Sequence, residues 1–172
     1  MPLHMVLIGL PGCGKTASGS LAASRLGAPF VDLDQLITRE QGRSIEGIFA
    51  AGESTFRELE RDAMRRVLDG PPGIVSPGGG WAAQPGNLES ATGQAVLVYL
   101  RVTPGIAAER IGDSAGRPLL AGADPRKRLS ELLEAREAFY RRAGHSIDTN
   151  GRSPDMVAET IVNLARKHGG WP

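Results

Sequence analysis

The chain has 172 residues, and its 20 basic and 19 acidic side chains leave a formal net charge of +1. A chain of this length is expected to form one domain with a sizeable core, and its near-neutral charge disfavours nucleic-acid or membrane-surface partners. No apolar run approaches the roughly 18 residues that span a bilayer, and the first residues lack the basic start of a signal peptide. The one cysteine, Cys13, cannot form an internal disulfide. We therefore expect a soluble, cytoplasmic protein.

The chain begins with an apolar run at residues 5–8, a glycine loop at residues 9–16 and an alanine-rich stretch at residues 17–25. The loop matches the Walker A pattern G-x-x-x-x-G-K-[ST] at every fixed position, and strand, loop and helix is the context that this pattern needs. A plain strand-to-helix turn is the alternative. The pattern favours a nucleoside triphosphate site, with Lys15 at the β- and γ-phosphates and the Thr16 hydroxyl on Mg²⁺.

The next segment, residues 29–34, is predicted to be a short strand that ends in two acids, Asp32 and Asp34. Because they are two positions apart on an extended segment, both side chains are expected on one face. Beside bound ATP, one carboxylate would hold Mg²⁺ through its water shell and the other would accept the proton of an attacking hydroxyl. A solvated turn that carries two acids is the alternative.

The remaining pattern alternates strands and helices, which indicates an open three-layer α/β sheet of parallel strands with right-handed crossovers. The predicted strands are residues 5–8, 29–34, 73–76, 95–100 and about 146–148. The predicted helices are residues 17–25, 35–40, 44–49 behind a Ser44 cap, 53–68, 104–110, 126–142 and 154–167. The tail, residues 169–172, is expected to be loose.

Ligands of such folds bind beyond the carboxyl ends of the strands. The glycine loop, the acid pair and a triple glycine, Gly78-Gly79-Gly80, each follow a predicted strand, and this favours one shared active site. The triple glycine is either a flexible loop or a place where a ligand touches the backbone closely. Arginines are surface charges by default, but two of them forked onto a carboxylate would explain arginine in place of lysine. The candidates are Arg57, Arg110, Arg117 and Arg136.

Taken together, these motifs resemble the shikimate kinases over almost the whole chain, residues 6–165. The shared segments are residues 9–16, 32–34, 42–45, 48–49, 52–60, 78–80, 117–120, Arg136 with Tyr140, 148–150 and Pro154. Walker A loops occur in very many proteins. The Gly-Arg-Ser-Ile and Gly-Glu-x-x-Phe-Arg-x-x-Glu segments, in this order with the triple glycine, are far more selective.

The resemblance implies a nucleoside-monophosphate-kinase-like sheet of five parallel strands in the order 2-3-1-4-5. It implies a single P-loop kinase domain over residues 1–172, with a substrate-binding region at about 34–60 and a lid at about 112–122. The implied reaction moves the γ-phosphate of ATP to the 3-hydroxyl of shikimate, with Mg²⁺ as cofactor, and gives shikimate 3-phosphate and ADP. ATP and shikimate are the implied partners of a monomer.

The resemblance also assigns roles to individual residues. The implied catalytic residues are Asp34, which accepts the proton, Lys15 and Arg117. The implied shikimate-binding residues are Asp34, Arg57, Gly79, Gly80 and Arg136, with Phe49 and Phe56 against the ring. The implied ATP-binding residues are Gly12, Cys13, Gly14, Lys15, Thr16, Ala17, Arg110, Arg117, Arg152 and Pro154. The implied metal-binding residues are Thr16 and Asp32.

One departure concerns Ala17, since similar kinases carry Ser or Thr there, and a hydroxyl contact to the α-phosphate is expected to be lost. Two other classes of function stay open. A related small-molecule kinase such as a gluconate kinase has the same loop, and its sugar-acid substrate also suits an arginine pair. A nucleotide-binding module without catalysis is the second alternative, and the intact Lys15, Asp32 and Asp34 disfavour it.

Overall fold

The computed structural model describes residues 1–112 and 124–172 of the chain. Within these residues, five strands form one sheet in the order β2-β3-β1-β4-β5, and every neighbouring pair is parallel. The strands are β1 (His4–Ile8), β2 (Phe30–Asp32), β3 (Ile74–Ser76), β4 (Ala95–Arg101) and β5 (His145–Asp148). The fold class and the strand order that the sequence predicts are confirmed.

Helices flank the sheet and begin close to the predicted positions. They are α1 (Lys15–Leu26), α2 (Leu33–Gln41), α3 (Ile45–Ala50), α4 (Glu53–Leu68), α5 (Asn87–Ser90), α6 (Pro104–Ile111), α7 (Pro125–Tyr140) and α8 (Pro154–His168), with a 3₁₀ turn at Trp81–Ala83. Ser44 caps α3 as predicted, because its hydroxyl accepts a hydrogen bond from the Gly47 backbone N–H. The 3₁₀ turn and α5 were not predicted, since three or four residues are too few to show a helical period.

The core lies on both faces of the sheet. All five residues of β1 are buried, as expected for an apolar strand at the centre of a parallel sheet. Helix α1 packs against α8 and β3, α4 packs against α2 and α3, and α6 packs against α7. The carboxyl ends of β1, β2 and β3 therefore meet at one edge of the sheet, and α2, α3 and α4 stand beside it.

The extended segment predicted at residues 29–34 is wrong at its end. Strand β2 stops at Asp32, whose Oδ1 accepts a hydrogen bond of 3.1 Å from the Gln35 backbone N–H and so caps α2. Asp34 lies in the first turn of that helix. The prediction that the two acids share one face of an extended segment is therefore wrong. The prediction failed because the aspartate cap starts the helix two residues before the position that the sequence pattern indicated.

The carboxyl-terminal tail is held in place, so the prediction of a loose tail is wrong. The Trp171 indole N–H donates to the Leu3 carbonyl at 2.9 Å, and the Leu3 N–H donates to the Gly169 carbonyl at 2.8 Å. These contacts join the two ends of the chain, and no local sequence pattern predicts them.

No helix in the described ranges is long and apolar enough to cross a membrane. Arg117 and most of the predicted lid lie outside the described residues.

Candidate active site

The glycine loop connects the end of β1 to the start of α1. Gly14 caps α1 with a left-handed φ of 94°, and Gly12 has a φ of 81°. A side chain on Gly12 would also place its Cβ 2.6 Å from the Ala107 carbonyl oxygen. Only glycine fits this conformation and this space, so the loop can wrap the start of α1, where backbone N–H groups attract anions.

Lys15 lies inside this loop and is 9% exposed. Its Nζ donates to the carbonyl oxygens of Gly9 and Leu10, at 2.8 and 3.0 Å. It also lies 3.5 Å from Cys13 Sγ. The loop carbonyls thus hold the ammonium group within the loop.

Thr16 and Asp32 meet at the mouth of the loop. The Thr16 hydroxyl donates to Asp32 Oδ2 at 2.9 Å, although the two residues come from different elements. In the part of the chain that the structure describes, no three histidine, cysteine, aspartate or glutamate side chains cluster as ligands of one metal ion. A hydroxyl and one carboxylate fit Mg²⁺, because Mg²⁺ takes few protein ligands and keeps several waters alongside substrate phosphates.

A cavity of about 570 Å³ opens beside the loop. It is lined by residues 11–18, Arg110, Ile111, Thr149, Arg152, Pro154 and Val157. All the predicted ATP-binding residues that the structure describes border this cavity. Thr149 was not among the predicted site residues, yet its carbonyl and hydroxyl accept hydrogen bonds from Arg110 at 2.6 and 3.0 Å. The sequence signal for Thr149 was its place in segment 148–150, which is shared with the family.

The acceptor side of the site contains a buried ion pair on α4. Arg57 is 7% exposed, and its Nη1 donates to Glu60 Oε1 at 2.9 Å. Its Nη2 donates to Glu53 Oε1 at 3.2 Å. The guanidinium lies 6.0 Å from the centre of the Phe49 ring and 5.3 Å from that of Phe56. Aromatic faces and carboxylates thus fix a cation beside the predicted acceptor pocket.

Glu60 is fully buried and was not among the predicted site residues. Burial raises the pKa of its carboxyl to about 7, against the opposing attraction of Arg57. The helical spacing in the sequence could have indicated part of this result. Glu60 lies four residues after Phe56 and three before Ala63, on the apolar face of the helix, and a carboxylate in such a place needs a partner.

The triple glycine makes room for these charged side chains. A Cβ on Gly78 would lie 2.9 Å from Glu60 Oε2 and 3.1 Å from Asp34 Oδ1. A Cβ on Gly80 would lie 2.5 Å from Arg57 Nη2. Neither glycine has a positive φ. They are therefore required here for space, because the carboxylates and the guanidinium lie directly against the backbone.

Gly79 joins the triple glycine to two other elements. A Cβ on Gly79 would lie 2.9 Å from Pro11 Cδ in the glycine loop and 3.3 Å from Arg136 Nη1 on α7. Arg136 is 7% exposed. The Tyr140 hydroxyl, one turn further along α7, donates to the Gly79 carbonyl. The segment after β3 is thus packed between the nucleotide loop and α7.

A second cavity, of about 500 Å³, lies beside the nucleotide cavity. It is lined by Thr16, Asp32, Asp34, Gln35, Thr38, Arg39 and Ile45. Thr16 also borders the nucleotide cavity, and Asp34 also abuts Gly78. The glycine loop, the acid pair and the triple glycine therefore lie side by side at the carboxyl edge of the sheet, and this region is here called the cleft.

The comparisons with known proteins agree with this geometry. A family model described as shikimate kinase matches residues 11–166. A shikimate kinase of Mycobacterium avium is 42% identical over 160 residues, which cover 92% of this chain and 90% of that protein. A shikimate kinase of Thermodesulfovibrio yellowstonii is 36% identical over 160 residues, with 92% of both chains covered.

Solved structures give the same result. A shikimate kinase from Acinetobacter baumannii in complex with shikimate matches with a TM-score of 0.92 and 31% identity, covering 97% of this chain and 94% of that one. A gluconokinase from Sinorhizobium meliloti matches with a TM-score of 0.65 and 17% identity, covering 98% and 94%, and this likeness shows the fold alone.

The parallel sheet, the Walker A loop and the cleft beyond it define a P-loop kinase. Within that class, the chain belongs to the shikimate kinase family. The family and the enzyme activity that the sequence predicts, an ATP-dependent phosphorylation of shikimate, are thereby confirmed, and the gluconate kinase alternative is not supported.

Proposed function

We propose that this chain transfers the γ-phosphate of ATP to the 3-hydroxyl of shikimate through the residues that border this cleft. One observation carries the proposal. Thr16 and Asp32 at the nucleotide loop share a cavity with Asp34, while the buried cations Arg57 and Arg136 lie against the triple glycine beyond it. Phosphoryl transfer depends mainly on alignment and charge neutralisation, and this arrangement offers both.

The nucleotide would occupy the larger cavity. Backbone N–H groups of the loop and the amino end of α1 would bind its phosphates, and Lys15 would leave its loop carbonyls to reach the β- and γ-phosphates. Arg110 and Pro154 would border the adenine, with Arg152 beside them. Because Ala17 also lines this cavity and has no hydroxyl, the α-phosphate would receive one hydrogen bond fewer.

Shikimate would bind on the other side of Asp34. Its carboxylate would lie between Arg57 and Arg136, whose planar forks suit a carboxylate better than a lysine does. Gly79 and Gly80 would let the ring approach the backbone, with Phe49 and Phe56 packed against the pocket. Asp34 would then accept the 3-hydroxyl proton while that oxygen bonds to the γ-phosphorus, and ADP would leave with the bridging oxygen.

Mg²⁺ would be held by Thr16 and, through water, by Asp32, and when bound it would neutralise charge on the phosphates. Arg117, on a lid of residues 112–122, would add positive charge over the phosphates. We further propose that residues 1–172 act as one monomeric, cytoplasmic kinase domain whose substrate-binding region spans residues 34–60.

The test is a coupled assay of ADP release with purified protein, Mg²⁺ and ATP. Shikimate is expected to stimulate ADP release, and gluconate at the same concentration is not. Phosphorus and proton NMR of the product should show a phosphate ester on the 3-hydroxyl. ADP release that shikimate does not raise above the ATP-only rate would overturn the proposal, and a preference for gluconate would move the chain to the other substrate.

A further inference from the structure

Tyr140 is fully buried at the end of α7. Its ring packs against Tyr99 on β4, with ring centres 5.1 Å apart. Its hydroxyl donates to the Gly79 carbonyl. This hydroxyl contributes nothing to the hydrophobic packing, and it touches the backbone that lies between two parts of the active site.

The surroundings of Gly79 explain why this hydrogen bond matters. A Cβ on Gly79 would lie close to both Pro11 of the nucleotide loop and Arg136 Nη1. Arg136 also lies close enough to interact with the Tyr140 hydroxyl. One phenol thus contacts the backbone that would bind the acceptor ring and the arginine that would bind its carboxylate.

From this geometry we propose that Tyr140 is a positioning residue for shikimate, whose hydroxyl fixes Gly79 and Arg136 in the arrangement that binds the acceptor. The inference rests on the proposed function, because it assumes that Gly79, Gly80 and Arg136 contact shikimate. Tyr140 acts through these groups and not on the reacting atoms.

The chemistry of the phenol suits this role. Burial raises the pKa of the Tyr140 phenol above its ordinary value, so it remains a hydrogen-bond donor throughout the working pH range. Without the hydroxyl, the Gly79 carbonyl would lose its donor in a packed site, and the loop would shift to find another. Such a shift would alter the acceptor pocket directly, whereas the nucleotide cavity would be affected indirectly, through Pro11 in its lining.

Tyr140→Phe removes only the hydroxyl, and Tyr99→Phe is its matched control. Both residues are buried and their rings are in contact, and each change removes one phenol oxygen. For Tyr140→Phe we expect the shikimate KM to rise roughly tenfold, with the ATP KM changed by less than about twofold. For Tyr99→Phe we expect both KM values to match those of the wild type.

A second measurement observes Tyr140 with its hydroxyl intact, by ¹⁹F NMR. The chain has two tyrosines, so 3-fluorotyrosine in Tyr99→Phe protein labels Tyr140 alone. Its ¹⁹F resonance is expected to shift when shikimate is added and to shift less with ADP. An unchanged shikimate KM in Tyr140→Phe, an equal rise in Tyr99→Phe, or a ¹⁹F resonance insensitive to shikimate would each overturn this inference. A wild type that shikimate does not activate would instead overturn the proposed function.

Discussion

The two halves of the cleft are built differently. In the nucleotide half, consecutive residues of one loop surround a helix start, and Lys15 and Arg110 bond main-chain carbonyls. In the acceptor half, the side chains of Arg57, Glu60 and Arg136 are at least nine-tenths buried and come from α4 and α7. In the proposed function, the first half would bind phosphates with backbone groups. The second uses ion pairs, fixed before binding, that need the surrounding core.

This difference indicates which substitutions each half of the site tolerates. A backbone site tolerates most side-chain changes, as long as the loop keeps its glycines and its lysine. A site of buried charges depends on contacts of a few tenths of an ångström, because interiors are close-packed and unpaired buried charges are costly. The following predictions test this contrast, beginning with the largest expected effect.

Asp34→Asn should have the largest effect, because Asp34 stands between the two halves as the proposed proton acceptor. We expect kcat to fall roughly 10²- to 10⁴-fold while ATP binding, measured by calorimetry, is unchanged. Asp62→Asn makes the same chemical change at a side chain that is 66% exposed on α4, and it should leave turnover unchanged. Near-normal turnover in Asp34→Asn would remove this residue from the role.

Gly80→Ala tests the space that the triple glycine gives to Arg57. The new Cβ would lie 2.5 Å from Arg57 Nη2, so the guanidinium must move away from its present partners. We expect the shikimate KM to rise on the order of tenfold to a hundredfold, with little change in the ATP KM. Gly144→Ala is the control, since its Cβ would meet no atom within 4 Å. Equal KM values in both variants would contradict the steric argument.

Glu60→Gln tests the buried carboxyl through the pH dependence of stability. The folded-state pKa of Glu60 is raised from 4.5 to about 7, so its contribution to stability is full below 4.5 and is lost as pH rises through 7. Glutamine does not titrate. In urea unfolding, the free energy of unfolding of the wild type relative to this variant should fall by about 1 kcal/mol or more between pH 4.5 and pH 8.

The control for this experiment is Glu58→Gln, which makes the same change on the exposed face of α4. A difference between the wild type and Glu60→Gln that stays constant over this pH range would show that burial does not perturb the carboxyl.

Ala17→Ser should give the smallest effect, and it should lower a KM where the other variants impair the enzyme. It restores a hydroxyl in the nucleotide cavity, where one hydrogen bond to the α-phosphate should lower the ATP KM by roughly threefold to fivefold. The shikimate KM should not change, since the two halves are built separately. Ala138→Ser, on an exposed position of α7, controls for the loss of helix propensity. An ATP KM equal to that of the wild type would show that the hydroxyl does not reach the phosphate.

The sequence by itself predicted the Walker A loop and a parallel α/β sheet, whereas the strand order followed from the family resemblance. The residues of the Walker A loop are contiguous, so the local sequence fixes their conformation. Alternating strands and helices leave few possible arrangements of a parallel sheet. The acceptor residues Arg57 and Arg136 could be named only through a family resemblance, because a single arginine in a helix does not reveal its partner.

Tertiary structure decided what depends on contacts between distant segments. The fit of Gly78 and Gly80 around charged side chains, the Tyr140 hydroxyl on Gly79 and the docking of Trp171 against Leu3 join segments far apart in sequence. Local patterns encode conformations of neighbouring residues, whereas these contacts exist only after the core has brought their partners together.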